Sequence, residues 1–315
     1  MKKFFCTSSN VEGRHLISMQ KLSKLDIISL LKRARNFKNG NAVISKNLNM
    51  TLALLFFQPS TRTRFSFEIA VLRLGGKTIG FDTPEGTRAG NNWNEYLEDT
   101  ARILNGYVDG VIIRHPEVNA IYKYAAFSTI PVINAGNGSG KNAEHPTQAL
   151  LDVFTIFEEF NTLDNLNIII VGALSVRTVP SFILAFRHFP STTINIAVSS
   201  EKEINQDLLH MLESNKITYK FIVNDDGALG DMDVIYHHGI IEDRYSIIPK
   251  NFIFNRKRLK NIRKGSIILH SLPRAEELAF DIDSMPQARY FQQAHNGIPM
   301  RMAIISNIFI DSNRS

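Results

Sequence analysis

Residues 51–57, Thr-Leu-Ala-Leu-Leu-Phe-Phe, are followed after Gln58 and Pro59 by Ser60-Thr61-Arg62-Thr63-Arg64. An apolar run this short, closed by a proline turn, suits a buried parallel strand. Phe65, Ile69 and Leu72 then recur at i, i+4 and i+7, which predicts a helix from about Thr61 to Gly75-Gly76. Ser60 falls at the helix N-cap, so free backbone N–H groups and the positive end of the helix dipole face the strand's carboxyl edge. With the Thr61 and Thr63 hydroxyls and two guanidiniums, the turn reads as a site for phosphate or a similar oxyanion. The plainer reading is a capped helix with two solvated arginines. No glycine-rich cradle or Gly-Lys-Ser/Thr is present, which excludes a Walker-type loop.

The same alternation continues along the chain. Helices are predicted over 22–37, 94–104, 145–160, 179–189 and 298–309, and strands over 51–57, 110–114, 131–134, 167–171, 193–197, 217–221, 233–236 and 266–269. That order implies an α/β fold of two doubly wound parallel-sheet domains joined by helices. A chain of 315 residues with 44% hydrophobic content can support two cores. The expected division is 1–144, completed by a C-terminal helix at 298–315, and 145–297. In such sheets, ligands bind outside the carboxyl ends of the strands.

The formal charge of +6 owes much to Arg256-Lys257-Arg258-Leu259-Lys260 and Arg263-Lys264. This run lacks interleaved aromatics, so it reads as a solvated face and no nucleic-acid partner is expected. Cys6 is the only cysteine, which excludes an intrachain disulfide and favours a reducing compartment. Met1-Lys2-Lys3-Phe4-Phe5 imitates the start of a signal peptide, but Thr7-Ser8-Ser9-Asn10 interrupts it. No apolar stretch nears the ~20 residues of a membrane span. The expected setting is cytoplasmic, with no membrane partner.

Four polar clusters fall at predicted strand ends: residues 60–64, Arg114-His115-Pro116, His145-Pro146-Thr147-Gln148 and His270-Ser271-Leu272-Pro273-Arg274. In this order the chain resembles the aspartate/ornithine carbamoyltransferase family almost end to end, from His15-Leu16-Ile17-Ser18 to Arg301. Leu272-Pro273-Arg274, Tyr290-Phe291-Gln292-Gln293-Ala294 and Asn296-Gly297 are closest to the aspartate carbamoyltransferase catalytic chain. The resemblance implies a carbamoyl-phosphate domain, an acceptor domain and a homotrimer with sites at subunit interfaces. Ser60, Thr61, Arg62 and Thr63 would hold phosphate, and Thr63, Arg114 and His145 the carbonyl oxygen. Gln148 and the backbone at Leu272 and Pro273 would take the carbamoyl NH2. Attack of an amine on the carbonyl carbon needs donors for the developing oxyanion and a place for departing phosphate. It needs no metal and no organic cofactor.

Three departures from the aspartate pattern concern the acceptor and a neighbour's loop. The loop that brings a serine and a lysine into a neighbouring subunit's site corresponds to residues 86–94, which contain Arg88 and Trp93 but no lysine. Some acetylornithine- and succinylornithine-type relatives place a tryptophan there. Arg177 matches the arginine that grips the acceptor's α-carboxylate, in a loop one residue shorter than usual. The arginine for aspartate's side-chain carboxylate is replaced within His237-His238-Gly239-Ile240-Ile241 by Gly239. Arg177, His237, His238, Gly239 and Leu272 are therefore the expected acceptor site. The expected acceptor carries one carboxylate, as a diamino acid does. The alternatives are a true aspartate carbamoyltransferase of pyrimidine biosynthesis, with Arg244 replacing the missing arginine, and a non-catalytic homologue that binds phosphorylated metabolites. A nicotinamide dehydrogenase does not fit, because Val171-Gly172-Ala173-Leu174 lacks the dinucleotide-binding spacing.

Overall fold

The computed structural model describes residues 15–42, 49–89, 95–200, 204, 206–223, 225–239 and 252–309. Strands β1 (His15–Leu16), β2 (Thr51–Phe56), β3 (Lys77–Phe81), β4 (Gly110–His115) and β5 (Val132–Asn137) form a sheet in the order β1-β5-β4-β2-β3. A second sheet contains β6 (Asn167–Val171), β7 (Thr193–Val198), β8 (Tyr219–Val223), β9 (Val234–His237) and β10 (Ile267–His270), in the order β10-β9-β6-β7-β8. Every pairing is parallel. The helices are α1 (Lys24–Lys38), α2 (Thr61–Arg73), α3 (Leu97–Leu104), α4 (Ala120–Phe127), α5 (Pro146–Phe160), α6 (Thr178–Ala185), α7 (Gln206–Ser214) and α8 (Tyr290–Phe309). Among the described residues, no helix is long and apolar enough to cross a membrane.

The strand order sets where ligands can enter. Chain order leaves β2 toward β3 on one side and β4 on the other, and leaves β6 toward β7 and β9 in the same way. Connections that depart in opposite directions open a crevice at the strands' carboxyl ends. In β2–β4 pairing Phe56 lies opposite Arg114, and in β6–β9 pairing Val171 lies opposite His237. Both crevices are therefore edged by polar residues immediately after buried strand segments.

One apolar cluster runs from Leu54, Ile112 and Ile133 of the first sheet through Leu150, Phe154 and Ile304 to Ile168, Tyr236 and Leu269 of the second. Helix α5 is buried from Pro146 to Phe157 except at Gln148, so it ties the sheets together rather than lying over one of them. Burying a side chain such as Phe154 contributes about 1.5–3 kcal/mol.

The apolar stripe expected to seat α2 points outward. Phe65, Ile69 and Leu72 are 58%, 39% and 57% exposed, whereas Phe67, Ala70 and Val71 face the core. Helix α8 starts at Tyr290, eight residues before the expected start at 298, and continues through Pro299. Strand β3 was not apparent in the sequence, since its burial pattern shows no enclosed residue. Strand β1 and helices α4 and α7 were also missed.

Candidate active site

Helix α2 starts where the sequence places it, with Ser60 at the N-cap. The Ser60 side chain makes no capping hydrogen bond, so the first turn keeps its anion-binding character. The motif's two arginines diverge. Arg62 and Thr63 line a cavity of about 380 Å³. Arg64 instead pairs with Glu68 at 2.9 Å and Asp82 at 2.6 Å. Thr61 is exposed and lies outside the cavity lining.

Arg114, His145, Gln148, Arg177, His238, Gly239, Leu272 and Pro273 line the same cavity. It therefore draws on both crevices. Arg114 Nη1 lies 3.5 Å from His145 Nε2 and donates to Ala135 O at 3.3 Å, while its buried Nε has no partner among the described residues. Burial, with the charges of Arg177 and Arg62, lowers the Arg114 pKa to about 9. An unmatched buried donor costs roughly 1–3 kcal/mol, which an oxyanion in the cavity would offset.

His145 is the N-cap of α5, followed by Pro146 at the first helical position, where a missing N–H costs nothing. Its backbone N–H donates to Ser181 Oγ at 2.7 Å, joining the two crevices. Burial, and then Arg114, Arg177 and Arg301, hold its imidazole well below the usual pKa, so the ring is neutral. Thr147 Oγ1 lies 3.4 Å from Nδ1. The Arg114 guanidinium can only donate, so in this contact His145 Nε2 accepts and the ring's proton sits on Nδ1, beside the Thr147 hydroxyl.

Gln148 has its orientation fixed from behind. Its Nε2 donates to Asp152 Oδ1 at 2.8 Å, which leaves its carbonyl oxygen as the acceptor for the cavity. Asp152 also accepts from Gln293 Nε2 at 2.7 Å and from the Tyr236 hydroxyl at 2.6 Å. Burial raises Asp152 to about 7 against these donors. Gln293 accepts the His270 N–H at 2.9 Å, so this network also reaches the end of β10.

Arg177 precedes α6 and donates to Gly138 O at 3.2 Å and to Gln58 Oε1 at 2.6 Å. Gly136, which sequence reading did not single out, is where three site groups converge. A Cβ there would lie 3.0 Å from Arg114 Nη1, 3.1 Å from Arg177 Nε and 3.1 Å from His145 Cδ2, at φ +113°. Arg301 was also missed as a lining residue. It is buried, with its guanidinium 4.8 Å from the Phe67 ring centroid.

The adjacent histidines part company. His238 reaches the cavity wall, with Nδ1 3.1 Å from Thr178 Oγ1 and a buried Nε2 that has no partner among the described residues. His237 does not line the cavity; its Nε2 lies 2.8 Å from Phe252 O, and its Nδ1 accepts the Gly239 N–H at 3.0 Å. Successive residues at a strand end point to opposite faces, so only one of the two can face the cavity. Arg88 is exposed and is not part of this chain's cavity lining. Trp93, Ile241 and Arg244 lie outside the described residues.

Two parallel-sheet units bring arginines and a neutral histidine together between their strand ends, which makes the chain an α/β protein with an electropositive cavity there. Residues 14–158 match the aspartate/ornithine carbamoyltransferase carbamoyl-phosphate-binding domain, and residues 164–308 match the aspartate/ornithine-binding domain of that family. An aspartate carbamoyltransferase catalytic subunit from Korarchaeum cryptofilum is 36% identical over 95% of this chain and 99% of its own. The structure of the Methanocaldococcus jannaschii aspartate transcarbamoylase catalytic subunit superimposes with a TM-score of 0.84 at 34% identity, covering 96% of this chain and 100% of the other. The Trypanosoma cruzi aspartate transcarbamoylase in complex with carbamoyl phosphate and aspartate gives 0.83 at 30% identity, covering 95% and 96%. The chain belongs to the aspartate/ornithine carbamoyltransferase family.

Proposed function

We propose that the protein transfers the carbamoyl group of carbamoyl phosphate to the amine of an amino acid with a single carboxylate, such as a diamino acid, and releases phosphate. The observation that supports it most is the convergence of Arg62, Thr63, Arg114, His145 and Gln148 on one cavity with Arg177. The first turn of α2, through Ser60 and Thr63, binds the phosphate with Arg62, while Thr61 stays outside the cavity. Thr63 and Arg114 donate to the carbonyl oxygen, and His145 contacts it. The Gln148 oxygen and the backbone at Leu272 and Pro273 accept from the carbamoyl NH2. The uncharged amine attacks the carbonyl carbon, negative charge grows on the oxygen, the C–O bond to phosphate breaks, and the departing phosphate takes the amine's proton. Removing one oxyanion donor costs about 3–4 kcal/mol.

Arg177 holds the acceptor's carboxylate and His238 contacts its far end, where Gly239 provides no cation. Aspartate would bury a second carboxylate there without a partner. Losing one member of a buried charge pair costs about 3–5 kcal/mol. The functional unit is a homotrimer in which Arg88 and Trp93 enter a neighbour's site, a reading favoured by the exposed Phe65, Ile69 and Leu72 stripe. Carbamoylation of aspartate is the second reading, favoured by the names of the relatives. The comparison of kcat/KM for aspartate with that for a panel of diamino acids decides between them. Efficient use of aspartate, abolished by Arg244→Ala, would overturn the diamino-acid reading.

A further inference from the structure

The cavity lining contains the side chains of Arg62, Arg114, Arg177, Arg274 and Arg301 but, among the described residues, only one acid, Glu277. Glu277 is 1% exposed. Its Oε1 accepts from His270 Nε2 at 3.0 Å and from the Ala275 N–H at 3.0 Å, and its Oε2 takes the same N–H at 3.1 Å. His270 Nδ1 accepts the Leu272 N–H at 2.9 Å, which orients the ring so that Nε2 donates to Glu277. Burial opposes ionisation of Glu277, but the hydrogen bonds from His270 and the Ala275 amide outweigh it and hold the carboxyl below the usual range. The result is a carboxylate on the cavity wall, held from behind by the His270 ring and the Ala275 amide. The arginine nearest in sequence, Arg274, is paired with Asp283.

Residue 239 stands beside this carboxylate and, being glycine, puts no side chain of its own before it. Among the described residues, a Cβ at Gly239 would come nearest to His270 Cε1, at 3.9 Å, and Glu277 Oε1, at 4.0 Å. On the same wall His238 is held neutral by its burial, and its Nε2 has no partner among the described residues. A buried anion on a cavity wall is stabilised by a ligand cation, and a carboxylate can accept about four hydrogen bonds. We propose that Glu277 sets acceptor specificity by binding the non-reacting ammonium group of a diamino acid in the space left by Gly239. This rests on the carbamoyl-transfer reading and assigns charges across that site: phosphate to Arg62, carboxylate to Arg177 and ammonium to Glu277.

The test uses 2,4-diaminobutyrate beside 2-aminobutyrate and 4-aminobutyrate, monoamines that delete each amine in turn. With the full-length protein, kcat/KM for the diamine is expected to exceed that for either monoamine by about a hundredfold or more. Glu277→Gln is expected to reduce that ratio about a hundredfold. Calorimetric binding of the same three compounds to protein saturated with inorganic phosphate provides a readout that needs no turnover and, in the wild-type protein, no variant. Transfer to diamine and monoamines at similar efficiency, or a ratio unchanged in Glu277→Gln, would overturn the role of Glu277 while leaving carbamoyl transfer standing. Selective, Glu277-dependent binding of the diamine with no carbamoyl transfer would uphold Glu277 and overturn the transfer reading.

Discussion

Gly136→Ala tests whether the site is built by close approach around a backbone position with no side chain. The new Cβ would lie 3.0–3.1 Å from Arg114 Nη1, Arg177 Nε and His145 Cδ2, where ordinary contact begins at 3.4 Å. Each group must retreat by a few tenths of an ångström, and all three point into the cavity. Disturbing the oxyanion donors is expected to lower kcat about 10²–10³-fold, the loss typical of one removed donor, since effects within one unit do not add. The backbone contributes separately, because φ of +113° strains an alanine by about 1–3 kcal/mol, or a few degrees in Tm. Gly140→Ala separates the two effects. Gly140 also has positive φ, +77°, but a Cβ there would meet nothing within 4 Å. It should lose stability and keep its activity. Steady-state kinetics and thermal melts of both variants are the assay. A Gly136→Ala protein with kcat within threefold of wild type, or one whose activity falls no more than that of Gly140→Ala, would refute the convergence argument.

Further perturbations follow from the same geometry. Arg62→Lys loses bidentate phosphate binding and Arg114→Ala a buried donor, so each should lower turnover by about two orders of magnitude or more with little change in Tm; near-normal turnover in both would remove their assignment. If Arg88 serves a neighbour's site, mixing inactive Arg62→Ala and Arg88→Ala chains should restore activity, and no recovery after verified subunit exchange would place complete sites within single chains. Asp152 is raised from 3.8 unfolded to about 7 folded, so the folded state binds the extra proton between those values and stability falls as pH rises through that window. Asp152→Asn removes this term, so the wild-type-minus-variant difference in unfolding free energy should drop by about 2–3 kcal/mol from pH 5 to pH 8; a difference independent of pH would contradict the burial of a titrating Asp152.

Much of this was legible in the sequence, for physical reasons. Asn167–Val171 was read to the residue, because a strand enclosed on both faces shows as a continuous apolar run. The α2 stripe had the right period and the wrong destination. Phe65, Ile69 and Leu72 form one apolar face and Phe67, Ala70 and Val71 another, and periodicity does not say which face the chain's own core takes. Strand β3 escaped because an exposed edge carrying Lys77, Thr78 and Gly80 lacks a hydrophobic run. The start of α8 was missed across Asn296 and Gly297, residues of low helix propensity that lie inside it. In the fold Asn296 donates to Thr155 Oγ1 at 3.0 Å, and a Cβ at Gly297 would fall 2.4 Å from Arg301 Nη1. In the site, residue types at strand ends pointed to Arg114, His145 and Gln148. Gly136 and Glu277 gave no such signal, since what they do depends on what the fold brings against them.

Carbamoyl transfer itself is tested most directly by incubating the purified protein with carbamoyl phosphate and a panel of amino acids, measuring orthophosphate and product mass together. The site described here predicts a diamino acid heavier by one carbamoyl group, formed one-to-one with phosphate and lost in Arg114→Ala. Phosphate release with no carbamoylated amine, or no turnover with any amine while carbamoyl phosphate binds, would contradict it.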